Sequence, residues 1–217
     1  MIETFFPPEV RTCLLSGEGD TAHLYPAEAS CIAGAVPARR REFALGRQCA
    51  RRALADLGIR DFPLLQGKDR APIWPAGVVG SLTHCGNIGA AAVARADRIA
   101  ALGIDIETAV PLGEDLYRLV CLPEEMARLA ALPEAMRGVT AKLLFSAKES
   151  VFKCFYPLTG VFLDFLDCEI CLEEESGEFT AVLRHPQLPQ SLREVDLHGR
   201  LARDSRHLFT GIARPAG

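Results

Sequence analysis

Asp105 and Glu107, in the run Gly103-Ile-Asp-Ile-Glu107, stand two residues apart. The stretch Ile99-Ala-Ala-Leu-Gly-Ile-Asp-Ile-Glu107 is rich in β-branched and aliphatic residues and predicts a largely buried strand. Side chains alternate along a strand, so both acids face one way while Ile104 and Ile106 face the other. Two neighbouring carboxylates at the end of a buried strand repel each other and need a cation. An all-oxygen donor pair of this kind suits a hard divalent ion such as Mg2+. A strand running out into solvent with polar residues at its tip has the same pattern.

A second element of interest is basic. Pro37 to Leu57 reads as a helix, with Pro37 near its start and Gly58 where a C-terminal glycine belongs. Phe43, Ala50, Leu54 and Leu57 form an apolar stripe, and Arg40, Arg47 and Arg51 fall on a second line within about 40° of one another. Arg39, Arg41 and Arg52 add charge, with Glu42 the sole acid before Asp56. That many cations favour an anion among them, and a guanidinium fork matches phosphate oxygens; a solvated arginine face is the plainer alternative. Gln66-Gly-Lys-Asp-Arg-Ala-Pro-Ile-Trp-Pro75 then reads as a turn carrying Lys68 and Arg70. It leads to the strand Val78-Val-Gly-Ser-Leu-Thr-His84, whose Ser81, Thr83 and His84 can offer donors to a phosphate.

The third candidate lies in a helix predicted over Val139 to Tyr156, with Leu144, Phe145, Phe152 and Phe155 as its core face. Glu149 sits at the edge of that face, Lys153 one turn further on, and Lys148 is expected on the solvated surface. An ordinary i,i+4 pair accounts for Glu149 and Lys153 without any function.

The chain as a whole sets limits. Its 217 residues, 49% hydrophobic and 24% charged, suffice for one large domain or two small ones and exclude a disordered chain. A net charge of −4 argues against a general nucleic-acid binder. The N-terminus lacks the basic start and apolar run of a signal peptide, and no apolar run suffices to cross a bilayer, so a cytoplasmic protein with reduced thiols is expected. Of its eight cysteines, Cys168 and Cys171 form a lone Cys-x-x-Cys with no second pair to complete a zinc site, and read as small apolar strand residues. Strands and helices mix without regular alternation, which favours α+β. Between Val110 and Leu132, residues Leu116, Leu119, Val120 and Met126 recur at helical spacing, with Pro123 as a break.

Gly103-Ile-Asp-Ile-Glu107 followed by Phe145-Ser-Ala-Lys-Glu-Ser-Val-Phe-Lys153 resembles the paired signature of the 4′-phosphopantetheinyl transferases. Arg41-Glu-Phe-Ala-Leu-Gly-Arg47 with its continuation to Leu54, Trp74-Pro-Ala-Gly77, Gly80-Ser-Leu-Thr-His84 and Tyr156-Pro-Leu-Thr-Gly160 extend it, and resemble the enterobactin synthase component D branch of the long, single-chain type. The resemblance spans about residues 30 to 170. Two departures stand out: Phe145 where many members have tryptophan, and Lys68-Asp-Arg-Ala-Pro72 in place of a basic residue followed directly by proline.

This resemblance implies two similar α/β halves related by a pseudo-twofold, residues 1–104 and 105–217, with coenzyme A between them. It implies a monomer that transfers the phosphopantetheine arm of coenzyme A to a serine of an apo acyl or peptidyl carrier protein, releasing 3′,5′-ADP, for siderophore or other nonribosomal peptide or polyketide synthesis. Asp105, Glu107 and Glu149 would be ligands of Mg2+, with Mn2+ as the alternative. Glu149 or a metal-bound water would take the serine proton, and Lys153 would stabilise the charge that develops. His84 would touch the pyrophosphate, with Arg41, Arg47, Lys68, Arg70 and Ser81 near the nucleotide phosphates. The segment from Val110 to Leu132 would help to bind the carrier. Asp105→Ala would abolish transfer and leave the fold largely intact. A different phosphotransfer enzyme would need its own phosphate loop, and no Gly-x-x-x-x-Gly-Lys-Ser/Thr run occurs. A non-catalytic coenzyme A or carrier-binding module of the same fold would be marked by loss of an acid, whereas all three and Lys153 are present.

Overall fold

In the computed structural model, which describes residues 1–193 and 196–216, two antiparallel sheets each carry one long helix. The first sheet has the order β1-β3-β2, from β1 (Arg11–Ser16), β2 (Val78–Cys85) and β3 (Ile88–Arg95). A short helix α1 (Pro26–Cys31) precedes α2 (Pro37–Asp56), which Pro37 opens and Gly58, at φ 78°, closes. Cys49, Ala50, Ala53 and Leu54 of α2 pack with Ala91 and Val93 of β3. On the other face of β3, Ala90, Ala92 and Ala94 join Ile104, Ile106 and Phe209 in a core shared by both sheets. A strand covered on both faces has no polar side to show, so Ala90 to Ala94 of β3 are an unbroken run of alanine and valine.

The chain crosses to the second sheet through residues 96–98. There β4 (Ile99–Thr108), β5 (Cys168–Glu173), β6 (Glu178–Leu183), β7 (Leu197–Arg203) and β8 (His207–Pro215) pair in the order β4-β8-β7-β6-β5. Between β4 and β5 in the chain come α3 (Tyr117–Val120), α4 (Pro123–Ala130) and α5 (Glu134–Thr159), and α5 packs on the second sheet. An α+β fold in two halves matches the expectation from the sequence; β4 runs across the 104/105 boundary expected between them. Pro123 does separate two helices, by opening α4 as its first residue. The helix of Glu149 is longer than expected. It begins at Glu134 and runs through Pro157, which falls in its last turn, to Gly160 at φ 66°. Leu144 and Phe155 are buried, whereas Phe145 and Phe152 are only partly so. Cys168 is buried and Cys171 exposed; three residues apart in a strand, they face opposite sides and cannot close on one ion.

Two contacts seat the functional elements. On its outer edge β4 has no backbone pairing to β2; instead the Ser81 and Thr83 hydroxyls accept the amides of Ile104 and Ile106 at 3.1 and 3.2 Å. On its inner face, Gly103 lies so close to α5 that a Cβ there would sit 1.7 Å from the Ser150 carbonyl oxygen. Gly103→Ala must therefore push α5 off the strand. It is expected to cost about 3 kcal/mol, lowering the melting temperature by about 10 °C for a chain of this size. A variant melting with the parent would mean that the helix is not seated on Gly103.

Candidate active site

With α5 pressed on Gly103, strand and helix stay in step. Two residues of strand advance about 6.6 Å and four of helix about 6 Å. Gly103, Asp105 and Glu107 consequently meet Ser150, Ser146 and Lys142 in turn. Asp105, only 3% exposed, accepts at Oδ1 from Thr83 Oγ1 (3.1 Å) and Lys153 Nζ (2.5 Å), and at Oδ2 from Ser146 Oγ (2.9 Å). Glu107 pairs with Lys142 at 2.9 Å. Glu149 lies 3.9 Å from Lys153.

Burial pushes the Glu149 pKa up; Lys153 opposes this, and the negative charges of Asp105 and Glu107 add to the rise. The three acids therefore feel one another. Among the described residues, however, no three His, Cys, Asp or Glu side chains already converge as a metal site. Lys142 and Lys153 lie against the two strand acids instead. The donor set is all oxygen, partly buried and mutually repelling, which fits a hard divalent cation that takes over from the lysines.

Beside this cluster opens a cavity of about 590 Å3 between the two halves. Arg39, Arg47, Arg70, Trp74, His84 and Lys153 are among its walls, with Ser81 and Tyr156. Arg47 is 5% exposed, donates from Nε to the Leu64 carbonyl at 3.0 Å and stacks its guanidinium 3.7 Å over the Phe43 ring. Its Nη2 is buried without a partner. Burial lowers its pKa to about 10, leaving it cationic at neutral pH. His84 takes a hydrogen bond from Arg39 through Nε2 at 2.6 Å. Burial first, and then the Arg39 charge, lower its pKa, so the ring is neutral and Nδ1 carries the proton. A smaller recess of about 310 Å3 shares Phe152 and Phe162 with the cavity and has Glu149 in its wall. Lys153 thus faces the cavity and Glu149 the recess.

Residues 27–94 match the family model for the 4′-phosphopantetheinyl transferase N-terminal domain, and residues 101–208 that for the 4′-phosphopantetheinyl transferase superfamily. The chain is 48% identical over 198 residues to the 4′-phosphopantetheinyl transferase Svp of Streptomyces mobaraensis, covering 89% of this chain and 80% of that one. It is 42% identical to Npt of Nocardia iowensis (82% and 79% covered) and 40% identical to PptT of Mycobacterium tuberculosis (71% and 68%), both also 4′-phosphopantetheinyl transferases. The chain belongs to the 4′-phosphopantetheinyl transferase family.

Within this transferase, the residues singled out in the sequence separate into groups. Asp105, Glu107, Glu149 and Lys153 come together, and Arg47, Arg70, Ser81 and His84 line the neighbouring cavity. Arg41 and Lys68 are not among its walls: Arg41 lies outside, 3.7 Å from Glu18, and Lys68 is exposed. The Ser81 hydroxyl is buried and serves the Ile104 amide. Arg40 and Arg51 are not among the cavity walls: Arg40 bonds the Ala33 and Ala35 carbonyls, and Arg51 bonds the His23 carbonyl and the buried Glu28, with its Nε buried and unpartnered like the Arg47 Nη2. Glu28 also accepts the Leu64 and Tyr25 amides. Arg39 was not distinguished from its neighbours by charge alone, yet its spacing of four from Phe43 and eight from Arg47 places all three along one side of α2. Lys148, expected on the surface, is 2% exposed and paired with Glu125, because a buried carboxylate and two carbonyls meet it there. No helix among the described residues is long and apolar enough to cross a membrane.

Proposed function

We propose that this protein transfers the 4′-phosphopantetheine arm of coenzyme A to a serine of an apo acyl or peptidyl carrier protein and releases 3′,5′-ADP. The single observation that supports this best is Arg47, a buried guanidinium with an unpartnered nitrogen in the wall of a cavity that ends at Lys153. A buried donor without an acceptor costs stability until an acceptor arrives, and a phosphate oxygen meets that need. Arg39 and Arg70 add charge for the remaining phosphates, and His84, in the same cavity wall, would touch the pyrophosphate. The N-terminal half, 1–104, supplies these groups; the C-terminal half, 105–217, supplies Asp105, Glu107, Glu149 and Lys153.

Asp105, Glu107 and Glu149 would hold Mg2+ or Mn2+, which when bound offsets charge on the pyrophosphate. Lys153 in the cavity wall and Glu149 in the adjoining recess divide the remaining work. With the nucleotide in the cavity, the acceptor serine approaches from the recess. Glu149, whose raised pKa makes it a better proton acceptor, takes the hydroxyl proton as the serine oxygen bonds to the phosphorus bearing the arm. The bond from that phosphorus to the bridging oxygen breaks, and the electron pair leaves with 3′,5′-ADP, where Lys153 donates to the charge that develops. Carriers of siderophore, nonribosomal peptide or polyketide assembly are the acceptors that the family reading favours.

Arg47→Met tests the nucleotide side. Losing a charge-assisted bond should weaken coenzyme A binding by about 10- to 100-fold, read by titration calorimetry without a carrier. Unchanged affinity would remove Arg47, and with it this use of the cavity.

A further inference from the structure

Lys148 stands one residue before Glu149 and takes no part in the chemistry above, yet its ammonium is fully engaged. Its three protons go to Glu125 Oε2 at 2.6 Å, the Val120 carbonyl at 2.8 Å and the Phe165 carbonyl at 2.9 Å. Glu125, wholly buried, also accepts the Leu122 and Ile170 amides, each at 2.7 Å. One ion pair thereby ties α5 to the end of α3, the start of α4, the 165–167 turn and β5.

Burying two charges costs more desolvation than packing apolar side chains of the same volume, so stability alone is a weak reason for such a pair. What it provides here is placement. Lys148 and Phe165 both line the recess that holds Glu149. The residues beside its two carbonyl partners, Leu119 and Leu166, are 63% and 44% exposed, and Phe162 on the same rim is 70% exposed. Large apolar side chains on both segments are thus presented outward at a separation that Lys148 fixes from within.

We infer that Lys148, with Glu125, is a positioning residue for the acceptor side of the site. It sets the distance between the Val120 and Phe165 segments, so that an apolar face of the carrier protein docking on Leu119, Phe162 and Leu166 delivers its serine to Glu149. This rests on the transfer reading above.

Lys148→Met and Lys148→Arg, in the full chain, separate this role from general support of the fold. Arginine keeps the charge but is too long for the same three bonds. Affinity for 3′,5′-ADP, measured by calorimetry, should stay within about twofold, because the nucleotide cavity does not include Lys148. Transfer should fall by at least about tenfold, as a higher KM for the apo carrier with the KM for coenzyme A nearly unchanged. An unaltered carrier KM in the folded variants overturns the inference. So does parallel loss of 3′,5′-ADP binding in both, which marks a purely structural pair. A parent protein that transfers nothing to any apo carrier refutes the underlying reading instead, and the inference falls with it.

Discussion

Asp105→Asn is expected to lower transfer on the order of a thousandfold, about 4 kcal/mol of barrier, with the fold retained. Asparagine has the same shape, and its carbonyl can still accept from Thr83 and Lys153. Its amide would displace the Ser146 proton, but Ser146 Oγ lies 3.0 Å from Thr210 Oγ1 and can turn to it. What is lost is the charge that a divalent ion needs. Asp105→Ala is a different experiment. From sequence alone, removing one of two repelling acids should leave the fold largely intact. In the structure Asp105 is the acceptor for two hydroxyls and an ammonium; Ser146 can turn to Thr210, but alanine leaves Thr83 and Lys153 without that acceptor, at about 3 kcal/mol. Single-turnover transfer by Asn, alongside urea melts of both variants, checks both points. Normal transfer by the asparagine variant would mean that Asp105 holds no metal.

Lys153→Met should have the second largest effect, and it should appear in the pH profile as well as the rate. Loss of a donor at the developing charge is expected to reduce the rate by about 100- to 1000-fold. Lys153 is also the cation that lowers the Glu149 pKa against burial and against Asp105 and Glu107. Without it that pKa climbs further. Glu149 can accept a proton only when ionised, so transfer falls as pH drops through its pKa, and in Lys153→Met this acid limb moves to higher pH. The stability sign is distinct. A raised carboxylate pKa means that the folded protein holds the proton more tightly than the unfolded chain. That contribution is complete below the ordinary carboxylate range and disappears as pH rises through the raised value. Pre-steady-state transfer measured across pH reads the shift; a slower enzyme with an unmoved acid limb would uncouple Lys153 from Glu149.

Which parts of this site were legible in the sequence follows from the range of each interaction. The alternation along β4 and the helical period of α2 and α5 are local, and they placed Asp105, Glu107, Arg47, Glu149 and Lys153 on the correct elements. Longer-range facts were not legible. Lys148 has the spacing of a surface lysine, and only Glu125, 23 residues away, makes it a buried one. Ser81 and Thr83 looked like donors for a ligand, because nothing local shows that β2 meets β4 edge to edge without backbone pairing, leaving two amides for their hydroxyls. Glu28, in a six-residue helix with no periodic signal, proved to be the acid that answers Arg51. Arg39 was within reach, since its spacing from Phe43 and Arg47 follows the helix, but a run of three adjacent arginines hides which one faces inward.

Intact-protein mass spectrometry of an apo peptidyl carrier domain, incubated with this protein, coenzyme A and Mg2+, tests the central claim most directly. The account predicts that the carrier gains the mass of one phosphopantetheine arm, that EDTA prevents the gain, and that replacing the carrier serine by alanine abolishes it. A carrier of unchanged mass, on peptidyl and fatty-acid-type acyl carriers alike, would contradict it.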